Sequence, residues 1–388
     1  MISLWPLLLP VAAFSGWYLA NYSTHEKKFL KPKPSKEYFL GLNYLLNEQS
    51  DKAIDVFIKL LEVDSDTVET HLALGSLFRR RGETDRAIRL HQNLIARPQL
   101  MPHQKIDALM ALGQDYMSAG LFDRAEKIFE EVAQNEGPHQ ANSLKNLLDL
   151  YQREKAWEQC IESAKKLEKI NGEPLKKQMA HYYCEYALLA INQGHYEEAH
   201  EHLRKAFKVD NHSVRASLLL GQLEWQQNNY KKAIKAYKKI QEQDSDYLSE
   251  VVDPLILCYQ QLEKEEECAE YFQEIMPKCP RVSLLFFLAK FIKRKEGTEK
   301  ALDFVVEHLE KNFSLRGLNQ LIAWYLETTY GKVQVNLKML YEITHKLLEN
   351  KPVYRCVQCG YSGKNLHWLC PSCKQWSMMK PIYGLEGG

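Results

Sequence analysis

The sequence predicts an all-α protein: a solenoid of helix pairs, with one membrane-spanning helix before it and a small cysteine knuckle after it. Three observations predict this. A pattern of small and aromatic residues recurs through the middle of the chain, as at Gly41 and Gly75. An uncharged apolar run opens the chain. Two C-x-x-C pairs lie near its end.

The opening stretch, MISLWPLLLPVAAFSGWYLANYST, contains no Asp, Glu, Lys or Arg. Its run from Ile2 to Ala20 approaches the ~20 residues that cross a bilayer as a helix. Trp5, Trp17 and Tyr18 stand near the ends of the run, where amphipathic rings suit the interface. The alternatives are a cleaved signal peptide and a buried helix. A signal peptide carries a basic segment before its apolar run, and none is present. Lys27, Lys28, Lys31, Lys33 and Lys36 follow the run, and no Lys or Arg precedes it. The positive-inside rule then leaves the bulk of the chain on the cytoplasmic side of a membrane. Residues 1–22 are read as a single-pass anchor. Residues 23–36, with KPKPSK, are read as a basic tether suited to anionic headgroups.

Composition narrows the function. Lys plus Arg number 51 and Asp plus Glu 50, a balance that gives no footprint for nucleic acid as a partner. Apolar residues are 45% and charged residues 26%, the mix of a folded chain. Five of the nine cysteines are scattered singly, which suits a reducing compartment better than a disulfide framework.

Between residues 37 and 350 the pattern is explicit. Gly41, Tyr44, Ala53 and Phe57 set it. Gly75, Phe78, Ala87 and His91 repeat it, as do Gly113, Tyr116, Ala125 and Phe129, then Gly221, Glu224, Ala233 and Tyr237. Weaker copies centre on Tyr151 and Cys160, Ala187 and Ala199, Tyr259 and Cys268, and Ala289 and Ala301. A less regular helical stretch from Leu318 to Asn350 closes the array, giving about eight to nine units. The pattern resembles the tetratricopeptide repeat (TPR), a helix–turn–helix unit of 34 residues. The small residue that opens each unit is expected to meet the small residue of the second helix, and the ring that follows to face the next unit. Asp51, Asp85 and Asp123 are placed to cap second helices. Stacked units of this kind form a superhelix whose concave face binds peptides or protein segments.

Residues 351–388 carry the chemistry. Cys356 and Cys359 form one C-x-x-C turn, and Cys370 and Cys373 another. Two such turns close a tetrahedral four-sulfur site for one ion, iron or zinc. Gly360 suits the positive φ of the turn. A thioredoxin-type redox pair needs only one C-x-x-C and a βαβ setting, and no such pattern is nearby. His367 is a conceivable substitute ligand, but four cysteines are available. The segments YRCVQCGY and CPSC resemble rubredoxin, with Tyr354 and Trp376 as apolar partners near the sulfurs. The pairs stand closer together than in rubredoxin, and Lys374 replaces the usual glycine after the last ligand. A metal clip that folds a segment lacking its own core is the simpler reading. No nucleotide, zinc-protease or serine-hydrolase motif occurs, so no enzyme is expected. His195, His200 and His202 are read as solvated surface.

LLLPVAAFSGWY at the start, CPSCKQWSMMKPIYGLEG at the end and the repeats between resemble the lipopolysaccharide assembly protein B family of Gram-negative bacteria over essentially the full length. The resemblance implies an inner-membrane adaptor with the bulk of the chain in the cytoplasm. It implies restraint of lipopolysaccharide synthesis, by helping the membrane protease FtsH degrade the deacetylase LpxC. It also implies contacts with inner-membrane assembly components. A redox-active tetrathiolate, transferring electrons or sensing iron, is the alternative function.

Overall fold

The computed structural model describes isolated positions from Trp17 to Val56, then residues 68–98, 100–277, 281–349 and 351–384. The expected anchor and tether fall outside these residues, Trp17 apart. Asp51 falls outside them too. No helix among the described residues is long and apolar enough to cross a membrane. The chain divides into two compact units, Met1–Asn146 and Leu147–Gly388.

The first unit holds α1 (Val68–Arg80), α2 (Thr84–Ile95), α3 (Pro102–Ala119), α4 (Phe122–Gln134) and the start of α5 (Gln140–Glu154). These helices pair as the repeat predicts, with Ala87 and Ala125 fully buried at the expected small positions. The opening glycines have a different partner from the expected one. A Cβ built on Gly75 would lie 2.3 Å from the His91 ring, and one on Gly113 would lie 2.6 Å from the Phe129 ring. The close approach is therefore between the glycine and the ring of its own unit, because a ring spans the interhelical gap that an alanine methyl does not reach. Asp85 and Asp123 sit inside the first turns of α2 and α4. The caps are Glu83 and Leu121, neither of which makes a side-chain cap hydrogen bond. The two aspartates act on the helix dipole instead. His91 and Asp115 are fully buried. The Asp115 carboxylate accepts from His91 Nδ1 at 2.5 Å and from Arg79 Nη1 at 2.5 Å, so its burial is compensated on both oxygens.

The second unit continues with α6 (Trp157–Asn171), α7 (Lys176–Gln193), α8 (Tyr196–Val209), α9 (Val214–Gln226) and α10 (Tyr230–Lys238). Gly221 repeats the glycine–ring contact, with Tyr237 at 2.2 Å from a built Cβ. The regular alternation then breaks. A short α11 (Ile240–Gln243) and a 3-10 turn (Ser245–Glu250) precede α12 (Val252–Gln261). Tyr247, Leu248 and Val251 from this interruption are buried in a core shared with α9 through α14. α13 (Glu265–Ile275), α14 (Val282–Glu296) and α15 (Thr298–Lys311) complete the pattern, and α16 (Leu315–Thr328) pairs with α17 (Lys332–Glu349). The closing stretch is thus another helix pair. None of the α17 side chains is fully buried, and Val335, Met339 and Leu347 are exposed.

Four of the five scattered cysteines lie among the described residues, and these are core residues. Cys160, Cys184, Cys258 and Cys268 are fully buried. Burial pushes the Cys160, Cys184 and Cys268 thiols up to about 12, so they stay protonated and inert. Of the three histidines read as surface, only His195 is exposed. His202 stacks on Tyr186 at 4.9 Å, and the His200 ring is about a quarter exposed. Helix α8 is amphipathic, and these two rings flank its packed face.

Candidate metal centre

Residues 354–381 form a three-stranded antiparallel sheet in the order β2 (Ser362–Gly363), β1 (Tyr354–Cys356), β3 (Met379–Pro381). Tyr354 pairs with Gly363 on one side and Pro381 on the other. The strands hold two turns of matching construction. In the first, the Gly360 N–H donates to the Cys356 carbonyl at 2.9 Å and the Cys356 N–H to the Tyr361 carbonyl at 2.7 Å. In the second, the Lys374 N–H donates to the Cys370 carbonyl at 3.0 Å and the Cys370 N–H to the Gln375 carbonyl at 3.0 Å. Gly360 has φ 78° and Lys374 has φ 56°. Lysine therefore adopts the left-handed conformation that glycine adopts in the other turn.

The four sulfurs of Cys356, Cys359, Cys370 and Cys373 lie within 4.8 Å of one another. The Cys356–Cys373 and Cys359–Cys370 pairs are each 3.7 Å apart. A tetrahedral ion with metal–sulfur bonds of about 2.3 Å has sulfur–sulfur edges of about 3.8 Å. The donor set fits such an ion, and soft thiolates suit zinc or iron alike. His367 is not in the cluster. Cys356 and Cys370 are buried, Cys373 is half-buried and Cys359 is exposed, so the site opens to solvent on one side. The Cys359 thiol is lowered to about 6, first by its hydrogen bond to the Tyr361 backbone.

The segment has little interior of its own. Its buried cluster is Cys356, Cys370 and Met379, with Tyr354, Leu366, Cys373 and Met378 against it. Its larger side chains leave it for the repeats. Trp376, expected near the sulfurs, also makes contacts outside the knuckle. Its ring stacks on His181 of α7 at 4.6 Å and meets Tyr182 edge-on at 5.9 Å, and its Nε1 donates to Gln152 Oε1 of α5 at 2.9 Å. Trp368 stacks on Tyr247 at 5.2 Å. The guanidinium of Arg215, on α9, lies 5.9 Å from both tryptophan rings and pairs with Glu185 at 2.8 Å. Tyr354 packs on the sulfur cluster as expected, but its hydroxyl donates to Glu250 at 3.0 Å. Burial and that carboxylate push its pKa up. The Tyr247 hydroxyl donates to the Met379 carbonyl at 2.9 Å, and Lys380 pairs with Asp244.

A knuckle folded as a clamp against the array is what the sequence leads one to expect, but the residues of this docking face were not named from it. Its signals were present in the repeats. His181 and Arg215 are charged-type residues buried to 4% and 5% exposure on helices that bury residues all round. A helix of this kind has something against both faces. Tyr247 lies where the repeat spacing fails.

A TPR-type helical array with a four-thiol knuckle docked on it defines a class: repeat proteins that carry a rubredoxin-like terminus. Family models agree, matching "Tetratricopeptide repeat" over residues 70–101 and 185–247 and "Rubredoxin metal binding domain" over residues 354–381. The chain is 37% identical over 389 residues to "Lipopolysaccharide assembly protein B" of Escherichia coli K12, covering all of both chains. It is 34% identical over 396 residues to the protein of the same name from Haemophilus influenzae, again covering all of both. The chain belongs to the lipopolysaccharide assembly protein B family.

Proposed function

We propose that this chain is a membrane-anchored adaptor that regulates lipopolysaccharide biosynthesis and acts without a reaction of its own. Residues 1–22 anchor it in the bacterial inner membrane and residues 23–36 tether it. The repeats of 37–350 hold protein partners on the cytoplasmic side. Cys356, Cys359, Cys370 and Cys373 bind one ion, iron with zinc as the substitute, and residues 351–388 fold around it. The adaptor presents the deacetylase LpxC to the membrane protease FtsH and contacts envelope assembly components. The observation that carries this reading is the full-length match to proteins named for lipopolysaccharide assembly. The array supplies the broad face that a protein adaptor needs, and an anchor raises the effective concentration of membrane partners without new contacts.

The test is the lifetime of LpxC in cells depleted of this chain. Depletion is expected to lengthen it. The full chain restores turnover, and a chain lacking residues 1–22 restores it only partly. An LpxC lifetime indifferent to depletion defeats the proposal. Full zinc substitution separates the redox alternative, because zinc has no redox chemistry at such a site. Normal turnover with zinc supports a structural ion.

A further inference from the structure

A cavity of about 990 Å³ lies within the second unit, bounded by α12, α14, α16 and α17, by the chain just before β1 and by Lys364 just after β2. This is the upper end of the size range of small-molecule sites. Its wall carries four permanent cations: Lys290 of α14, Arg316 of α16, and Lys351 and Lys364 from the knuckle segment. Two carboxylates, Asp253 and Glu349, face the same space, leaving two positive charges in excess. Phe286 and Phe287 are among its apolar lining. Arg316 is the informative residue. Its Nε is buried and has no hydrogen-bond partner among the described residues. A buried donor left unmade is costly, and a guanidinium most of all.

We infer that this cavity binds a phosphate-bearing small molecule, with Arg316 as the anchoring donor and Lys364 closing over the anion from the knuckle. A phosphomonoester carries ~1.5–2 negative charges at neutral pH, which matches the local excess. Guanidinium and ammonium groups are its usual partners. That apolar lining takes the organic body to which the phosphate is attached. That body is a free metabolite or the apolar part of a lipid, since both present the same headgroup chemistry. Because donors come from the repeats and from the knuckle segment, the ligand also ties one to the other. The inference stands independently of the adaptor reading.

The test uses the metal-loaded full chain in a non-ionic detergent, with phenyl phosphate and dihexanoyl phosphatidic acid as probes. Binding is read by phosphorus NMR line broadening and by a concentration-dependent rise in melting temperature. At least one probe is expected to bind at millimolar concentration or better. Arg316→Gln is expected to weaken binding ~10-fold or more, the usual scale for a lost charge-assisted hydrogen bond. Lys364→Gln, at an exposed position, is expected to weaken it severalfold with helix and metal content unchanged. Lys300→Gln, whose side chain pairs with Glu296, is the control expected to change nothing. Binding of phenyl phosphate assigns a free metabolite, and binding of the phosphatidic acid alone assigns a lipid. Binding of neither, or binding indifferent to both Arg316→Gln and Lys364→Gln, overturns the inference. So does tight binding of a poly-glutamate peptide that neither probe displaces, which would make the cavity an acidic-peptide site.

Discussion

The repeats and the knuckle are held together by opposite means. The repeats from α7 to α16 contribute to overlapping apolar clusters, such as that around Tyr247, Leu255 and Phe272. Their stability is spread over many neighbour contacts, as in any stacked array. The knuckle buries only Cys356, Cys370 and Met379 within itself. On the proposed reading its order depends on an ion at the four cysteines and on one docking face. Damage to the array should therefore be local and graded, and damage to the knuckle should be close to all-or-none.

The largest break expected is at the ion. Cys356→Ser removes a buried ligand, and strong chelation removes the ion outright. For segments this small, metal binding is most of the folding energy, about 10 kcal/mol or more. The whole of residues 354–381 should become protease-sensitive while far-UV helicity stays near its original value. A parallel loss of helicity would show that the array leans on the knuckle.

Docking comes next. Trp376 is 7% exposed and touches three helical side chains across the junction. Trp376→Ala should cost about 3–5 kcal/mol, the range for a buried tryptophan. The ion should stay bound, since Trp376 is not a ligand, but hydrogen exchange should rise in the knuckle and on α7. On the array side the matching break is Gly221→Ala, whose new methyl would collide with the Tyr237 ring. Overpacking of this kind costs about 1–3 kcal/mol. Its exchange signature should stay within α9 and α10.

Acid should separate the two regions by about as much. Burial, with Arg215 beside it, lowers the His181 pKa to about 3 from an ordinary 6.5. The folded state therefore keeps His181 neutral while the unfolded chain takes up a proton below 6.5. The stabilisation is whole above pH 6.5 and drains away as pH falls from 6.5 towards 3. At pH 5 the loss is about 2 kcal/mol. His181→Gln should remove this part of the acid sensitivity, as measured by melting temperature against pH. A pH profile unchanged by that substitution would mean that carboxylates, and not His181, set the acid sensitivity of the junction.

Much of this was readable in the chain, and the misses share a cause. The repeat pattern located the helix pairs because small residues and rings at fixed spacing follow from packing between neighbours. The C-x-x-C pairs located the four sulfurs because ligand geometry is local. What could not be read was long-range: Trp376 against His181, Trp368 against Tyr247, Arg215 between the two rings. Such contacts join residues well over a hundred positions apart, and no periodicity encodes them. The glycine contacts were misassigned for a smaller reason. Spacing gives the face of a helix but not the reach of a side chain, and a ring at His91, Phe129 or Tyr237 reaches further than an alanine.

The smallest effect expected is at the two metal turns, which share their hydrogen bonds but differ in the residue at the left-handed position. Gly360 adopts φ 78° without penalty, whereas Lys374 adopts φ 56° with a Cβ that crowds its own backbone. Holding an ordinary residue there costs about 1 kcal/mol. Glycine relieves that strain but loses more chain entropy on folding, which returns about 0.4–1 kcal/mol. Lys374→Gly should therefore stabilise the knuckle by at most about 1 kcal/mol. A Cβ added at Gly360 would meet nothing within 4 Å, so Gly360→Ala tests the backbone conformation alone. It should destabilise by about 1 kcal/mol. Folding and metal binding are coupled here, so both changes should appear as shifts in metal affinity in opposite directions, each up to about fivefold. Competition with a chelator of known affinity reads them directly. Equal shifts in the same direction would show that the two turns do not carry the ion in equivalent ways, whatever their hydrogen bonds share.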